Sequence, residues 1–496
     1  MRSLSPAMAL SFGAALASPT LALAQFRGGP DWMTTGGDAQ RSSWIRSDPK
    51  ISVARMGKPG FDLVWKIKLS HEPGAAATLS RYIGYRGFRS LAFMGSGSGN
   101  LTAIDTDLGR IEWTKSVPAG TASGGGAAGC PGGMTGEVTR ATTAALPGVP
   151  AGRGGFAPGR SGPAKSAVGQ PGEGAVIIQE IAAREAMMAN AGRGGPGRGP
   201  GMPGQRMPSY LDVLSADGML HRMYVSNGDE PSPPIAFLDR NANAHGLIVI
   251  DNVAYAATSH GCGGIPNGIW AIDLTSKQTV HWTTEGDIAG DEGPAFGPDG
   301  TLYVATTTGD LVALQPKTLE VKASYHSGSP GFTTSPLVFE HKMKTLVAAV
   351  TSDNRLHLVD AQSLAGSGYP ANLSGPLASW QDALGTRWIA APSKDSIATW
   401  KVVDQGGTPG LEAGWTSREM ASPLAPLVIN GVLFAVSNSG TPVIYALDGA
   451  TGKELWNSGK AIMARVRNSR LTGSDSQLYL GTSDGTIYSF GFPIEH

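Results

Sequence analysis

The feature that most limits how this chain can fold is a repeat. GNLTAIDTDLGRIEW at residues 99 to 113 and TPVIYALDGATGKELW at residues 441 to 456 are close copies. Each reads as an alternating apolar strand, an Ala-x-Asp, a Gly turn and a second strand ending in Trp. The alternation has the period of two that puts one face of a strand into a core. Asp105 and Asp448 suit the turn because a carboxylate there accepts hydrogen bonds from turn amides. Gly109 and Gly452 suit a positive φ. Trp113 and Trp456 are large apolar anchors between layers.

Looser copies follow: DGMLHRMYVSNGD (217–229), GIWAIDLTSKQTVHW (268–282), GDLVALQPKTLEVKASY (309–325), NRLHLVDAQSL (354–364), SIATWKVVDQGGTPGLEAGW (396–415) and DGTIYSFGF (484–492). The small turn residue of each copy gives the anchors Gly99, Gly218, Gly268, Gly309, Asn354, Asp395, Gly440 and Gly485. Six of the seven spacings between them fall at 41 to 50 residues. That is the period of a four-stranded propeller blade. Eight anchors predict an all-β, eight-bladed propeller. The last copy leaves no room for a fourth strand, and DLVWKIKL (62–69) has the pattern of the missing one. An N-terminal strand is therefore expected to close the last blade, which removes the exposed sheet edges. A helical solenoid is the rival reading of such a period, and the two-residue alternation and frequent Gly turns argue against it.

The one long spacing contains a different kind of sequence. Residues 142–207 read PAGRGGFAPGRSGPAK and AGRGGPGRGPGMPGQR, and are expected to be a disordered Gly/Pro/Arg-rich insertion. GAVIIQEIAAREAMMAN (174–190) is the stretch within it able to form a short ordered element. The chain opens with Arg2, an apolar run from Ala7 to Ala17 and Ala22-Leu23-Ala24, the pattern of a secretory signal peptide over residues 1–24. The mature chain, 25–496, is expected to be a single propeller domain, monomeric, and periplasmic or secreted. It holds no run of 18 apolar residues, so no membrane span is expected. Equal numbers of basic and acidic residues, 39 of each, give no general pull toward nucleic acid.

The Ala-x-Asp-x-x-Thr-Gly-Lys-x-x-Trp run at 446–456 resembles the tryptophan-docking repeat of pyrroloquinoline quinone (PQQ) enzymes. DWMTTGGDAQRSSW (31–44) is similar to the start of their mature chains. The resemblance covers nearly the whole mature chain outside the insertion. It implies an eight-bladed propeller with a funnel on one face, where quinoproteins hold PQQ and a calcium ion. The same repeat also builds non-enzymes, such as the propeller of outer-membrane protein assembly. This sequence has no adjacent Cys-Cys pair over a quinone and no Cys-x-x-Cys-His, so no haem attachment is expected. The family's calcium-binding Glu, Asn and Asp find no residue-by-residue match.

In a repeat of that type, the anchored turns and the connections between blades share one face, the top. Cys262, in SHGCGGIPNG, then sits in an enlarged top loop of the third blade. Cys130, in GGGAAGCPGG, sits in the top connection entering the second. In an exported protein these two, the sole cysteines, are expected to form a disulfide. A reactive thiol and a metal ligand are the alternatives. Other top-loop residues are candidates for chemistry. Asp287, Asp291 and Glu292 of DIAGDEG could hold Ca²⁺, with Asp291 also a general base; a solvated acidic loop is the plain alternative. Arg467, flanked by Arg465 and Arg470, could meet the carboxylates of PQQ or another anion, or else form salt bridges between blades. Trp380 and Trp400 could stack on a planar cofactor or serve as packing anchors. His245 is a further cofactor-binding candidate, and His260 stands two residues from Cys262. GGGAAG (124–129) lacks the strand and helix that a dinucleotide fingerprint needs.

Two functions follow. One is an exported PQQ- and Ca²⁺-dependent oxidoreductase acting on an alcohol or sugar, with a separate electron acceptor. The other is a non-catalytic propeller that binds a protein or small ligand through its top face.

Overall fold

A computed structural model describes residues 31–84, 87–119, 130, 137–145, 209–328, 330–467 and 469–493. The expected signal peptide and nearly all of the 142–207 insertion lie outside the described residues. Those residues form eight antiparallel sheets, the blades of a propeller. Blade 1 runs Ala76–Gly84, Gly87–Gly95, Asn100–Asp105 and Arg110–Ser116 from the axis outward. The inner strands of blades 2 to 8 are Val138–Thr139, Ala244–Ile250, Ala295–Phe296, Leu337–His341, Ala378–Gln381, Leu427–Ile429 and Thr472–Ser474. Each of the eight anchor residues falls at the connection between the second and third strands of its blade. Blade 8 supplies only three strands from the C-terminal end. Asp62–Lys68 adds the fourth, antiparallel to Thr486–Gly491, as the alternation in DLVWKIKL predicts.

Burial explains the strand sequences. A blade's middle lies between two neighbours, so its strands are apolar on both faces. In blade 3, Ala244–Ile250 and Val253–Thr258 are buried throughout. The outer strand, Thr279–Thr283, alternates exposed and half-buried. The repeat's Asp does its expected work: Asp105 Oδ1 accepts the amides of Asp107 and Leu108.

The repeat's Gly has a second role besides its φ. The outer-strand Trp of one blade lies on the turn Gly of the next. A Cβ on Gly109 would stand 2.4 Å from Trp65 Cγ, and one on Gly452 would stand 2.5 Å from Trp415 Cε3. The indole N–H groups of Trp65, Trp113 and Trp415 donate to the carbonyls of Thr106, Val225 and Gly449. Trp and Gly of the repeat are thus two halves of one contact between blades.

Residues 31–48 form a strap through the central channel, and the strap visits the blades in order. Trp32 O accepts the Thr78 amide of blade 1, and Met33 O accepts the Arg140 amide beside blade 2. The Thr34 hydroxyl donates to Leu247 O of blade 3. The carbonyls of Ala39, Gln40, Ser42 and Ser43 accept amides of Phe296, Val338, Ser379 and Val428 on blades 4 to 7. Asp48 accepts the Ser476 amide of blade 8. Trp44–Ile45 pairs parallel with blade 7. No helix among the described residues is long and apolar enough to cross a membrane.

Candidate functional site

The connections between blades and the loops between second and third strands share the top face, and the chemistry expected there does collect around the channel mouth. Cys130 and Cys262 are joined by a disulfide. The bond ties the segment entering blade 2 to the enlarged loop of blade 3. On the same face, side chains from the entries to blades 4 and 8 meet.

Arg470, just before the inner strand of blade 8, reaches across the mouth. One nitrogen bonds Asp291, and Nη1 donates to Glu292 Oε1 at 2.7 Å. Burial works against the Arg470 charge, but the Asp291 and Glu292 carboxylates outweigh it and hold its pKa above the usual range. Burial also works against a charged Asp291, and Arg470 overcomes it, so its carboxyl is held below the usual range. The Asp291 side chain keeps 67% of its surface open to water. Glu292 is buried, and that burial raises its pKa despite Arg470. Its amide donates to the Ser335 hydroxyl of blade 5.

Arg41 of the strap is fully buried. Its Nε donates to Pro294 O and its Nη2 to Gly246 O, both at 3.0 Å, and Nη1 serves Thr34 Oγ1 and Thr35 O. Gly246 and Gly293 let the backbones of blades 3 and 4 meet there. A Cβ on Gly246 would stand 2.4 Å from Gly293 Cα. Glu137, at the entry to blade 2, accepts the Leu247 amide at 3.0 Å. Burial pushes its pKa up to about 7, against the pull of that bond and of Arg41. His245, on the inner strand of blade 3, pairs Nε2 with Ser259 Oγ at 3.1 Å, while Nδ1 is buried without a partner. Burial pulls its pKa down to about 4, although the Asp291 charge opposes the shift. At neutral pH the site therefore holds a charged Asp291 near a neutral imidazole.

Several expectations change. Asp287, Asp291 and Glu292 do not converge on one point. Asp287 faces His260, with Nδ1 to Oδ2 at 3.2 Å, and the other two face Arg470. Among the described residues no three acidic, His or Cys side chains could share a metal ion. Each of these three carboxylates already has a cationic or imidazole partner. Trp380 does not face the funnel either. It is fully buried between blades 6 and 7, its ring parallel to Trp388 with centroids 6.0 Å apart. Trp400 is likewise core. Arg467 is exposed and makes no ion pair among the described residues; the arginine that meets carboxylates is Arg470. Glu137 and Arg41 were not singled out from the sequence. Both lie in irregular segments where no period marks a functional residue. The only hint was a charged Arg41 in a strap otherwise rich in small residues.

No family model matches the chain, and no curated protein matches it in sequence. Solved structures do. The quinohemoprotein alcohol dehydrogenase from Comamonas testosteroni aligns over 94% of this chain and 81% of its own, with TM-score 0.56 and 13% identity. A europium-containing methanol dehydrogenase aligns over 94% and 99%, with TM-score 0.57 and 10% identity. BamB from Moraxella catarrhalis aligns over 87% and 100%, with TM-score 0.51 and 13% identity. The fold is thus the PQQ-type propeller, the class that the repeat implied. At these identities the likeness concerns fold alone, and the similar structures include both dehydrogenases and BamB.

Proposed function

We propose that this chain is an exported propeller that binds a polar ligand or partner group on its top face, without a calcium ion. The observation that carries this reading is the commitment of Asp291 and Glu292 to Arg470 and of Asp287 to His260. A divalent cation needs several converging oxygen ligands, and here it would first have to displace a buried guanidinium. The top face still offers recognition chemistry: an Asp291 carboxylate open to water, on the face where the disulfide ties Cys130 to Cys262. The disulfide and the leader-like start support export to the periplasm or beyond.

A second reading keeps the oxidoreductase. Its support is the charged Asp291 near the neutral His245, a pair able to accept and pass a proton. PQQ would supply hydride acceptance, and electrons would leave to a separate carrier. Titration of the leader-free protein with PQQ plus CaCl₂, followed by absorbance and dye-linked oxidation of alcohols and sugars, separates the two. The binding reading expects no calcium-dependent saturation and no dye reduction. Saturable binding with dye reduction would establish the enzyme.

A further inference from the structure

The opposite mouth of the channel carries an independent feature. Arg46 ends the strap, and Arg387 begins the second strand of blade 6, next to the bottom turn. Both guanidinium groups lie over the Trp44 ring, with Cζ 4.4 and 5.3 Å from its centroid, and Arg387 also lies 5.8 Å from the Phe339 ring. Ring contacts hold a guanidinium in place but use its face, leaving its N–H edge free to donate. Here that edge has nothing to donate to. The Nε of each arginine is buried without an acceptor, and neither side chain makes a hydrogen bond or ion pair among the described residues. Arg387 is only 6% exposed. Burial, reinforced by the nearby Arg46 charge, pulls its pKa down to about 10. Glu340, which lines the same cavity, acts on both in the opposite sense, and Asp38 does so on Arg46, but neither carboxylate makes an ion pair with them among the described residues. The Ser379 hydroxyl, fully buried, also has no partner.

These groups line one cavity of about 20 Å³ between the strap and blades 5 and 6. A guanidinium edge buried without an acceptor is costly, so two such edges facing one cavity mark a place for an anion that accepts from both. The size is selective. One water needs roughly 10–15 Å³ by this measure, so the cavity suits a single small occupant and not a tetrahedral oxyanion.

We propose that the bottom mouth of the channel binds one small monovalent anion, a halide or a carboxylate, between Arg46 and Arg387. The occupant would link the strap to blade 6 at the end of the channel farthest from the top face. The site is independent of whether the top face is catalytic.

The test uses the full mature protein. Crystals soaked in sodium bromide should show an anomalous peak within hydrogen-bond distance of both guanidinium groups. In solution, melting is followed at constant ionic strength while gluconate, too large for the cavity, is replaced by chloride, bromide or formate. A site occupied only by the smaller anions should raise the melting temperature by about 1–3 °C. Response to formate as well as halides extends the site to carboxylates; response to halides alone restricts it to them. Arg387→Gln should flatten the response, and Arg46→Gln, at a half-buried position, repeats the test should Arg387→Gln fail to fold. The proposal is overturned by an absent bromide peak, by melting indifferent to the anion, or by a full response in Arg46→Gln.

Discussion

Two residues of the top-face site pull stability in opposite directions as pH changes. Burial raises the folded pKa of Glu137 to about 7 from its ordinary value of 4.5. Its contribution is complete below the unfolded value and is lost as pH rises through 7. His245 has its folded pKa lowered to about 4 from 6.5. Its contribution is complete above 6.5 and is lost as pH falls through 4. Each is worth roughly 3 kcal/mol across its window, so between about pH 4.5 and 6.5 they nearly cancel. Relative to wild type, Glu137→Gln should therefore gain stability with rising pH over that range, and His245→Asn should lose it. Urea unfolding at a series of pH values checks both signs, and parallel curves for the three proteins would refute the assignment. Arg470→Met leaves the buried Glu292 without its ion-pair partner. It should cost about 3 kcal/mol in the same measurement. The sequence located this chemistry better than it assigned it. Asp291 and Glu292 come together with Arg470, and Asp291 lies close enough to His245 for its charge to act there. Which arginine turns inward depends on the path of an irregular loop, so the run from Arg465 to Arg470 could not distinguish Arg467 from Arg470. Of the two roles open to Trp380 and Trp400, the structure shows packing; an indole that stacks on a ligand and one that packs between blades look alike in sequence.

At the scale of elements, legibility follows regularity. The eight turn anchors and the closing strand were readable because a blade repeats its strand lengths and its alternation. The Trp–Gly contact was half readable: the residues were visible, but the pairing of Trp65 with Gly109 and Trp415 with Gly452 joins neighbouring blades. The disulfide is an element-scale tie of the same kind, joining the entry of blade 2 to a loop of blade 3 across a separation of 132 residues. By chain entropy it contributes on the order of 4–5 kcal/mol. Cys262→Ser should lower the urea midpoint accordingly. Reductant should lower the midpoint of the wild type toward that of the variant and leave the variant unmoved.

For the whole molecule, the strap is the organising part, and it was the least legible. Its residues have no period, and its partners are main-chain groups spread from Thr78 to Ser476. A start at residue 47 would remove the contacts with the first seven blades while sparing the closing strand Asp62–Lys68. Such a protein should lose the single sharp melting transition of the intact ring, as calorimetry would show. A one-step transition at the wild-type temperature would mean that the strap merely fills space.

The order of those contacts has a consequence for how the molecule is made. The strap leaves the ribosome before any blade, and the blades then meet it in the sequence in which they are synthesised, Trp32 with the first and Asp48 with the last. It is an axle laid down before the wheel, with a place kept for each spoke. The rim cannot close until the final strand arrives to take up Asp62–Lys68, which has been waiting since the beginning. A chain interrupted before its last strand therefore carries an open edge, a visible mark of incompleteness for whatever inspects newly made proteins.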